Sequence, residues 1–412
     1  MSRRGLERYP DFARWRVGND IVLLRNGEAY FPALFHAIDQ AQYSVHLETY
    51  IYNFDDTGLA LLERLRQACR RGVKVRVVVD GFGSAPNAHA LRDALTEMGA
   101  QCRIYRPEPR GIEAYRFSLR RLRRLHRKVV VIDQELAFVG GINVLDDLVD
   151  VPDDGEGPKP RFDFAVQVRG PIVNDLRRAQ ADLWIRMAWR HHADWAAFYR
   201  RLRGWRLRAR QNGRAQANAG SMRAAVLLRD NVRFRKQIEH AYIGAIYRAR
   251  HTVLIANSYF LPSRGLKKAL VDAAQRGVRV RLLLQGRSEY TLQFRACRSM
   301  YGALLAKGIE IYEYMPSYLH AKVADIDGRA MVGSANMDPF SLLLAREANV
   351  YIDDAGFAAG LQGCLEDEIK ASSQHVTVLT WERTSRLTHW IDVAARALLR
   401  LGVALTGRSA EY

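Results

Sequence analysis

Two stretches of the chain spell the same polar residues in the same order. Leu125 to Asn143 reads LHRKVVVIDQELAFVGGIN, and Leu319 to Asn336 reads LHAKVADIDGRAMVGSAN. Each has a histidine, a lysine two residues on, an aspartate five beyond that, then Gly-Gly or Gly-Ser, then asparagine. Alternate residues of a strand face the same way, so His126 and Lys128 point together, as do His320 and Lys322. An ammonium beside an imidazole repels a metal ion, and each stretch offers only one good ligand. The pair suits an anion. Two lysines and the amides of Asn143 and Asn336 could hold the oxygens of one phosphate. One histidine could then attack phosphorus, while the other protonates the leaving alcohol and deprotonates the incoming one. No metal and no cofactor are expected. A single histidine in an apolar strand is usually a satisfied core residue, but the recurrence of the whole constellation argues against that here. Asp133 and Asp327 fall in turn-like DQE and DGR contexts, where a carboxylate commonly fixes the backbone.

The elements that must position these groups are repeated as well. VLLRNG (Val22 to Gly27) returns as VLLRDN (Val226 to Asn231), and ACRRGVKVRVVVDG (Ala68 to Gly81) returns as AAQRGVRVRLLLQG (Ala273 to Gly286). CRIY (Cys102 to Tyr105) has its counterpart in IEIY (Ile309 to Tyr312). The common order marks a duplicated unit. Val75 to Val79 and Val280 to Leu284 read as strands buried on both faces. The helical segments before them end at Gly72 and Gly277, which fit C-terminal caps. Each half is therefore expected to be an α/β unit with helices over a buried sheet. The expected division is 1–207, a polar linker at 208–221, 222–380, and an amphipathic helix within 381–412.

The chain has 412 residues, of which 48% are hydrophobic and 26% charged, so a sizeable core can form. A formal net charge of +19 points to an anionic partner, either nucleic acid or an acidic membrane surface. The four cysteines, Cys69, Cys102, Cys297 and Cys364, are too scattered for a zinc site or a dithiol and suit a reducing compartment. No apolar run is long enough to span a membrane, so action from the membrane surface is expected.

The doubled pattern His-x-Lys-x4-Asp with its trailing Gly-Gly/Ser-x-Asn resembles the phospholipase D superfamily, and the resemblance covers nearly the whole chain. It implies two tandem α/β/α domains related by a pseudo-twofold, one active site at their interface, and phosphodiester transfer through a phosphohistidine. The motif residues carried over as catalytic are His126, Lys128, Asp133, His320, Lys322 and Asp327, with Asn143, Asn336 and Ser334 beside the phosphate. Gly141 stands where the second copy has Ser334, which implies a hydroxyl contact on one side only. Asp163 in RFDFAV and Glu347 in REANVYI match the acidic residues that orient the histidines. By the same resemblance His126 is the nucleophile. Within the superfamily, HLETYIYNFDDTG, AFVGGIN, NSYFLPS and GSANMDPFSLLLAREANVYIDD are similar to bacterial cardiolipin synthases of the short type without transmembrane helices. Here the second motif continues DPFS where many members read DPRS.

Two surface features accompany the motifs. YRFSLRRLRRLHRK, Tyr115 to Lys128, is a basic run with leucine every third residue. It reads either as a solvated helix or as an element that docks on anionic lipid. Arg386 to Arg408 has Leu387, Trp390, Ile391, Leu398, Leu401 and Leu405 at helical spacing. It could pack on the catalytic core or lie in a membrane interface. The expected activity is phosphatidyl transfer to phosphatidylglycerol on the cytoplasmic side of the bacterial membrane, with the protein bound peripherally. The alternatives are hydrolysis of phospholipid to phosphatidic acid and, less favoured, a nuclease. A nuclease would be helped by stacking aromatics among the basic residues, and no such array stands out, so no stable nucleic-acid partner is expected. Oligomeric state is not legible.

Overall fold

The computed structural model describes residues 9, 13–108, 123–155, 157–188, 219–230, 234–339, 341 and 344–404. Most of the basic run before His126 and residues 208–218 of the expected linker lie outside the described residues.

The first half supplies β1 (Arg16–Arg25), β2 (Ser44–Thr49), β3 (Lys74–Asp80), β4 (Gln101–Tyr105), β5 (Lys128–Ile132), β6 (Leu136–Gly140) and β7 (Phe164–Arg169). The second supplies β8 (Met222–Arg229), β9 (Thr252–Asn257), β10 (Arg279–Gln285), β11 (Glu310–Tyr314), β12 (Lys322–Ile326), β13 (Arg329–Gly333) and β14 (Glu347–Asp353). A further short strand, β15 (Ser373–Val376), pairs antiparallel with β11. The spatial order β1-β7-β6-β5-β2-β3-β4 in one half is repeated as β8-β14-β13-β12-β9-β10-β11 in the other. The fold is therefore the duplicated α/β arrangement that the repeat implied. β2, β3 and β4 are parallel, as are β9, β10 and β11, and helices cross between them.

Local chemistry explains the crossovers. Asp55 caps the helix Asp56–Arg70 by accepting from the Gly58 N–H, and Ser263 caps Arg264–Gln275 by accepting from the Leu266 N–H. Both helices end in a Schellman turn. The Val73 N–H reaches the Ala68 carbonyl and the Val278 N–H reaches Ala273. Gly72 and Gly277 take φ of 85° and 87° there, a conformation that costs glycine little.

The repeat did not foretell how the halves join. β1 pairs with β8 (Arg16 with Ala224, Asn19 with Met222), so among the described residues the two sheets run together as one of fifteen strands. β6 and β7 also contact β13 and β14. A common core holds Val129, Val131, Phe164 and Val166 of one half with Leu254, Ala256, Val323 and Val350 of the other. The site between the halves is thus mounted on shared packing rather than on a hinge.

The helix Arg386–Ala404 has two distinct faces. Asp392, Ala395 and Leu399 are buried against the helix Thr291–Arg298, and Asp392 pairs with Arg295 at 3.4 Å. Leu387, Trp390, Ile391, Leu398 and Leu401 face outward, with Trp390 73% exposed. The reading that this helix packs on the catalytic core describes its buried face.

Candidate active site

His126 and His320 each lie two residues before a buried strand, β5 or β12. The segments that carry them are held at both ends in matching ways. The Asp80 carboxylate, at the end of β3, accepts from the Leu125 N–H at 2.7 Å. Gln285, at the end of β10, accepts from the Leu319 N–H through its amide oxygen. These two positioning residues were missed in the sequence. Their signal was a polar residue closing an otherwise apolar strand in both copies, VVVDG and LLLQG.

The other anchor comes from the opposite half. The His126 N–H donates to the Arg346 carbonyl at 3.0 Å, just before β14. The His320 N–H donates to the Phe162 carbonyl at 2.9 Å, just before β7. This crossing sets the partners of the imidazoles. His126 Nδ1 lies 2.9 Å from Glu347 of the second half, and His320 Nδ1 lies 2.6 Å from Asp163 of the first. Each carboxylate thus fixes the ring contributed by the other half. With Nδ1–H given to a carboxylate, Nε2 of each neutral ring is left to face the cavity.

Gly141 and Ser334 occupy equivalent places with different tasks. A Cβ at Gly141 would collide with the Asp163 carboxylate, so only glycine leaves that carboxylate its place. Ser334 donates to Glu347 at 2.5 Å and accepts from the Ala348 N–H at 3.1 Å. Ser334 is fully buried and does not line the cavity. In this structure its hydroxyl supports the carboxylate behind His126.

Asp133 and Asp327, carried over with the motif as catalytic, are placed at the far ends of β5 and β12. Asp133 accepts from the N–H groups of Gln42, Tyr43 and Ser44 at 2.7 to 2.8 Å. Asp327 does the same for Arg250, His251 and Thr252. Both adopt positive φ, 50° and 48°, which Asp tolerates better than most residues. They are turn-fixing residues, as their contexts suggested. Asp133→Ala is expected to lower stability by about 2–3 kcal/mol through three unmet donors and a strained turn. Denaturant unfolding alongside kcat checks this; a loss of kcat without a loss of stability would return Asp133 to the chemistry.

A cavity of about 310 Å³ opens between the halves, lined by His126, Asn143, Asp163, His320 and Asn336 among others. Lys128 and Lys322 are buried beneath the histidines, each donating to the carbonyl of its own histidine. Lys322 also reaches the Ser258 hydroxyl at 3.3 Å, where Lys128 instead lies 5.3 Å from the centre of the Tyr50 ring. Asn143 accepts from the Ile51 N–H at 3.2 Å, which turns its NH2 toward the cavity.

Burial governs the proton affinities. It pushes His126 below its ordinary value against the pull of Glu347, and His320 well below, where the two lysines add to the effect. Burial raises Asp163 to about 6, opposed by Lys322. It lowers Lys322, and it takes Lys128 down to about 7. An empty site thus tends toward neutral groups, and an incoming phosphate anion restores protons to them. Because the phosphate raises the Lys128 value, inorganic phosphate is expected to bind with proton uptake above pH 7. Its affinity should fall by up to about tenfold per pH unit there. The free protein should move the other way, gaining stability from about 7 toward 10.5, because the unfolded chain still binds the Lys128 proton that the folded one has released. Calorimetry at pH 8 in two buffers of different ionisation enthalpy reads the uptake; none would contradict the assignment.

Residues 34–149 and 242–368 match the family described as Cardiolipin synthase, PLD-like domain. The two matched segments contain one His-Lys set each. The chain belongs to this family. Cardiolipin synthase B of Escherichia coli K12 is 39% identical over 88% of this chain and 83% of its own length. A probable cardiolipin synthase of Bacillus subtilis is 28% identical over 86% of this chain and 67% of its own. The fold is similar to that of phosphatidylserine synthase from Haemophilus influenzae, with a TM-score of 0.69 at 12% identity, covering 98% of this chain and 99% of that one. Family membership makes this a phospholipase D-type phosphatidyltransferase, and the cavity between the two halves is its candidate active site.

Proposed function

We propose that the protein makes cardiolipin from two phosphatidylglycerol molecules. The observation that carries this is a single cavity in which both histidines meet, each braced by a carboxylate from the opposite half. His126 Nε2 attacks phosphorus, the bond to the glycerol oxygen breaks, and His320 gives that oxygen its proton. The hydroxyl of a second phosphatidylglycerol then loses its proton to His320 and attacks, releasing His126. Lys128, Lys322, Asn143 and Asn336 hold the phosphate oxygens as negative charge builds. Incubation with phosphatidylglycerol vesicles and identification of products by mass tests the reading. Cardiolipin and glycerol support it, phosphatidic acid alone makes the protein a phospholipase D, and DNA cleavage without lipid turnover makes it a nuclease.

The protein is further proposed to work from the surface of an anionic membrane on its cytoplasmic side. No helix among the described residues is long and apolar enough to cross a membrane. The outward face of the C-terminal helix offers Trp390, Leu398 and Leu401, with Arg396 and Arg400 beside Lys267 to meet lipid phosphates. A Trp390→Ser, Leu401→Ser double variant is expected to bind phosphatidylglycerol vesicles about 10- to 100-fold more weakly, with stability unchanged. Binding should also weaken with salt. Vesicle sedimentation reads both, and undiminished binding by the double variant would remove this face from the membrane contact.

A further inference from the structure

The pseudo-twofold makes the two histidines nearly equivalent, but the cavity walls are not. Ile51 and Tyr259 stand two residues past the ends of β2 and β9, and both line the cavity. Leu145 and Asp338, two residues past Asn143 and Asn336, form a second pair of unlike residues. At these two positions the half that carries His126 offers alkyl groups where the half that carries His320 offers a phenol and a carboxylate, while Tyr50, Asp147 and Arg161 of the first half line the cavity elsewhere. The polar wall also holds Glu289, which no step of the reaction uses. Its carboxylate accepts from the Tyr259 hydroxyl at 3.2 Å and lies 3.8 Å from Arg161. Asn336 is 7% exposed in the same cavity, and its Oδ1 has no donor among the described residues. A fixed carboxylate and an unmet amide oxygen are both acceptors, and they ask for a ligand rich in O–H donors.

We propose that Glu289 recognises the glycerol headgroup, accepting hydrogen bonds from its hydroxyls, with Asn336 Oδ1 as the second acceptor. The proposal rests on the cardiolipin synthase reading and deepens it. Attack and departure at phosphorus lie in line, so the leaving alcohol sits away from the nucleophile and beside the general acid. A hydroxyl-binding wall on the half that carries His320 therefore places glycerol where His320 can protonate its oxygen. The same contacts would seat the glycerol hydroxyl of the second phosphatidylglycerol for attack, since it enters where the first headgroup left. The alkyl groups of Ile51 and Leu145 are left for the diacylglycerol side. Breaking the pseudo-twofold in this way gives the two imidazoles their separate roles.

The test compares two donors of equal chain length, phosphatidylglycerol and phosphatidylpropanol, the second having no free hydroxyl, each with excess ethanol as the common acceptor of the phosphatidyl group. Release of glycerol or propanol is followed for wild type, Glu289→Gln and Tyr259→Phe. The preference for phosphatidylglycerol, as a ratio of kcat/KM values, is expected to fall roughly 10- to 100-fold in Glu289→Gln, the range for loss of hydrogen bonds to a charged group. Tyr259→Phe, which keeps the carboxylate but removes the hydroxyl that holds it, should lower the ratio in the same direction by less. An unchanged ratio in both variants, whether activity is lost equally on both donors or kept on both, overturns the proposal. If the wild type releases propanol but shows no preference for phosphatidylglycerol, headgroup recognition fails while phosphatidyl transfer stands. If the wild type turns over neither donor, the functional reading itself fails and takes the proposal with it.

Discussion

His126→Asn is expected to lose the covalent intermediate and to drop turnover by about 10⁴-fold or more, the scale seen when a nucleophile or its base is removed. His320→Asn should lose natural-substrate turnover comparably, yet keep a burst with a nitrophenyl phosphodiester. The reason is the difference in what each ring must do. An attacking imidazole needs its lone pair; burial holds both rings below their ordinary value, so the roles rest on the family resemblance that makes His126 the nucleophile. A general acid matters only when the leaving oxygen is a poor leaving group, and nitrophenolate needs no proton. Rapid quenching separates the two. A burst that survives in His126→Asn and vanishes in His320→Asn would reverse the roles, and full activity in either variant would remove that histidine from the mechanism.

The second large effect follows from the crossed pairing. Asp163→Asn should reproduce the His320 variant and Glu347→Gln the His126 variant, each with a loss of about 10²- to 10⁴-fold in kcat. In each case the neutral amide no longer stabilises an imidazolium or fixes Nδ1–H as donor. Asp163→Asn should therefore retain the nitrophenyl burst, while Glu347→Gln should lose most of it. The opposite pattern would mean that each carboxylate serves the histidine of its own half. Gly141→Ala should fall in the Asp163 class, because its methyl group would displace that carboxylate.

Sequence alone determined the duplication and the α/β character of each half, and it singled out the residues that the structure gathers at one cavity. The reason is that these are local or periodic properties. Strands β3 and β10 announce themselves as apolar runs after a glycine-capped helix, whereas the expected strand face shared by His and Lys is not what forms: each histidine lies just before its strand, and the lysine is buried beneath it. The turn role of Asp133 and Asp327 was legible for the same reason, from their immediate neighbours. Pairing between distant positions was not. His126 meets Glu347 across 221 positions and His320 meets Asp163 across 157, and nothing in either copy says that the carboxylates cross over. Ser334 adjoins the motif in sequence, but only the path of β14 brings Glu347 to its hydroxyl. Asp80 and Gln285 carried a faint signal as repeated polar strand ends, yet their use depends on which backbone N–H the fold sets against them. The fusion of two sheets through β1 and β8, and the unlike walls that Ile51 and Tyr259 give to one cavity, exist only once the halves are packed. Tertiary structure decided these because each is a relation between two copies of one pattern, and a pattern read within one copy has no term for the other.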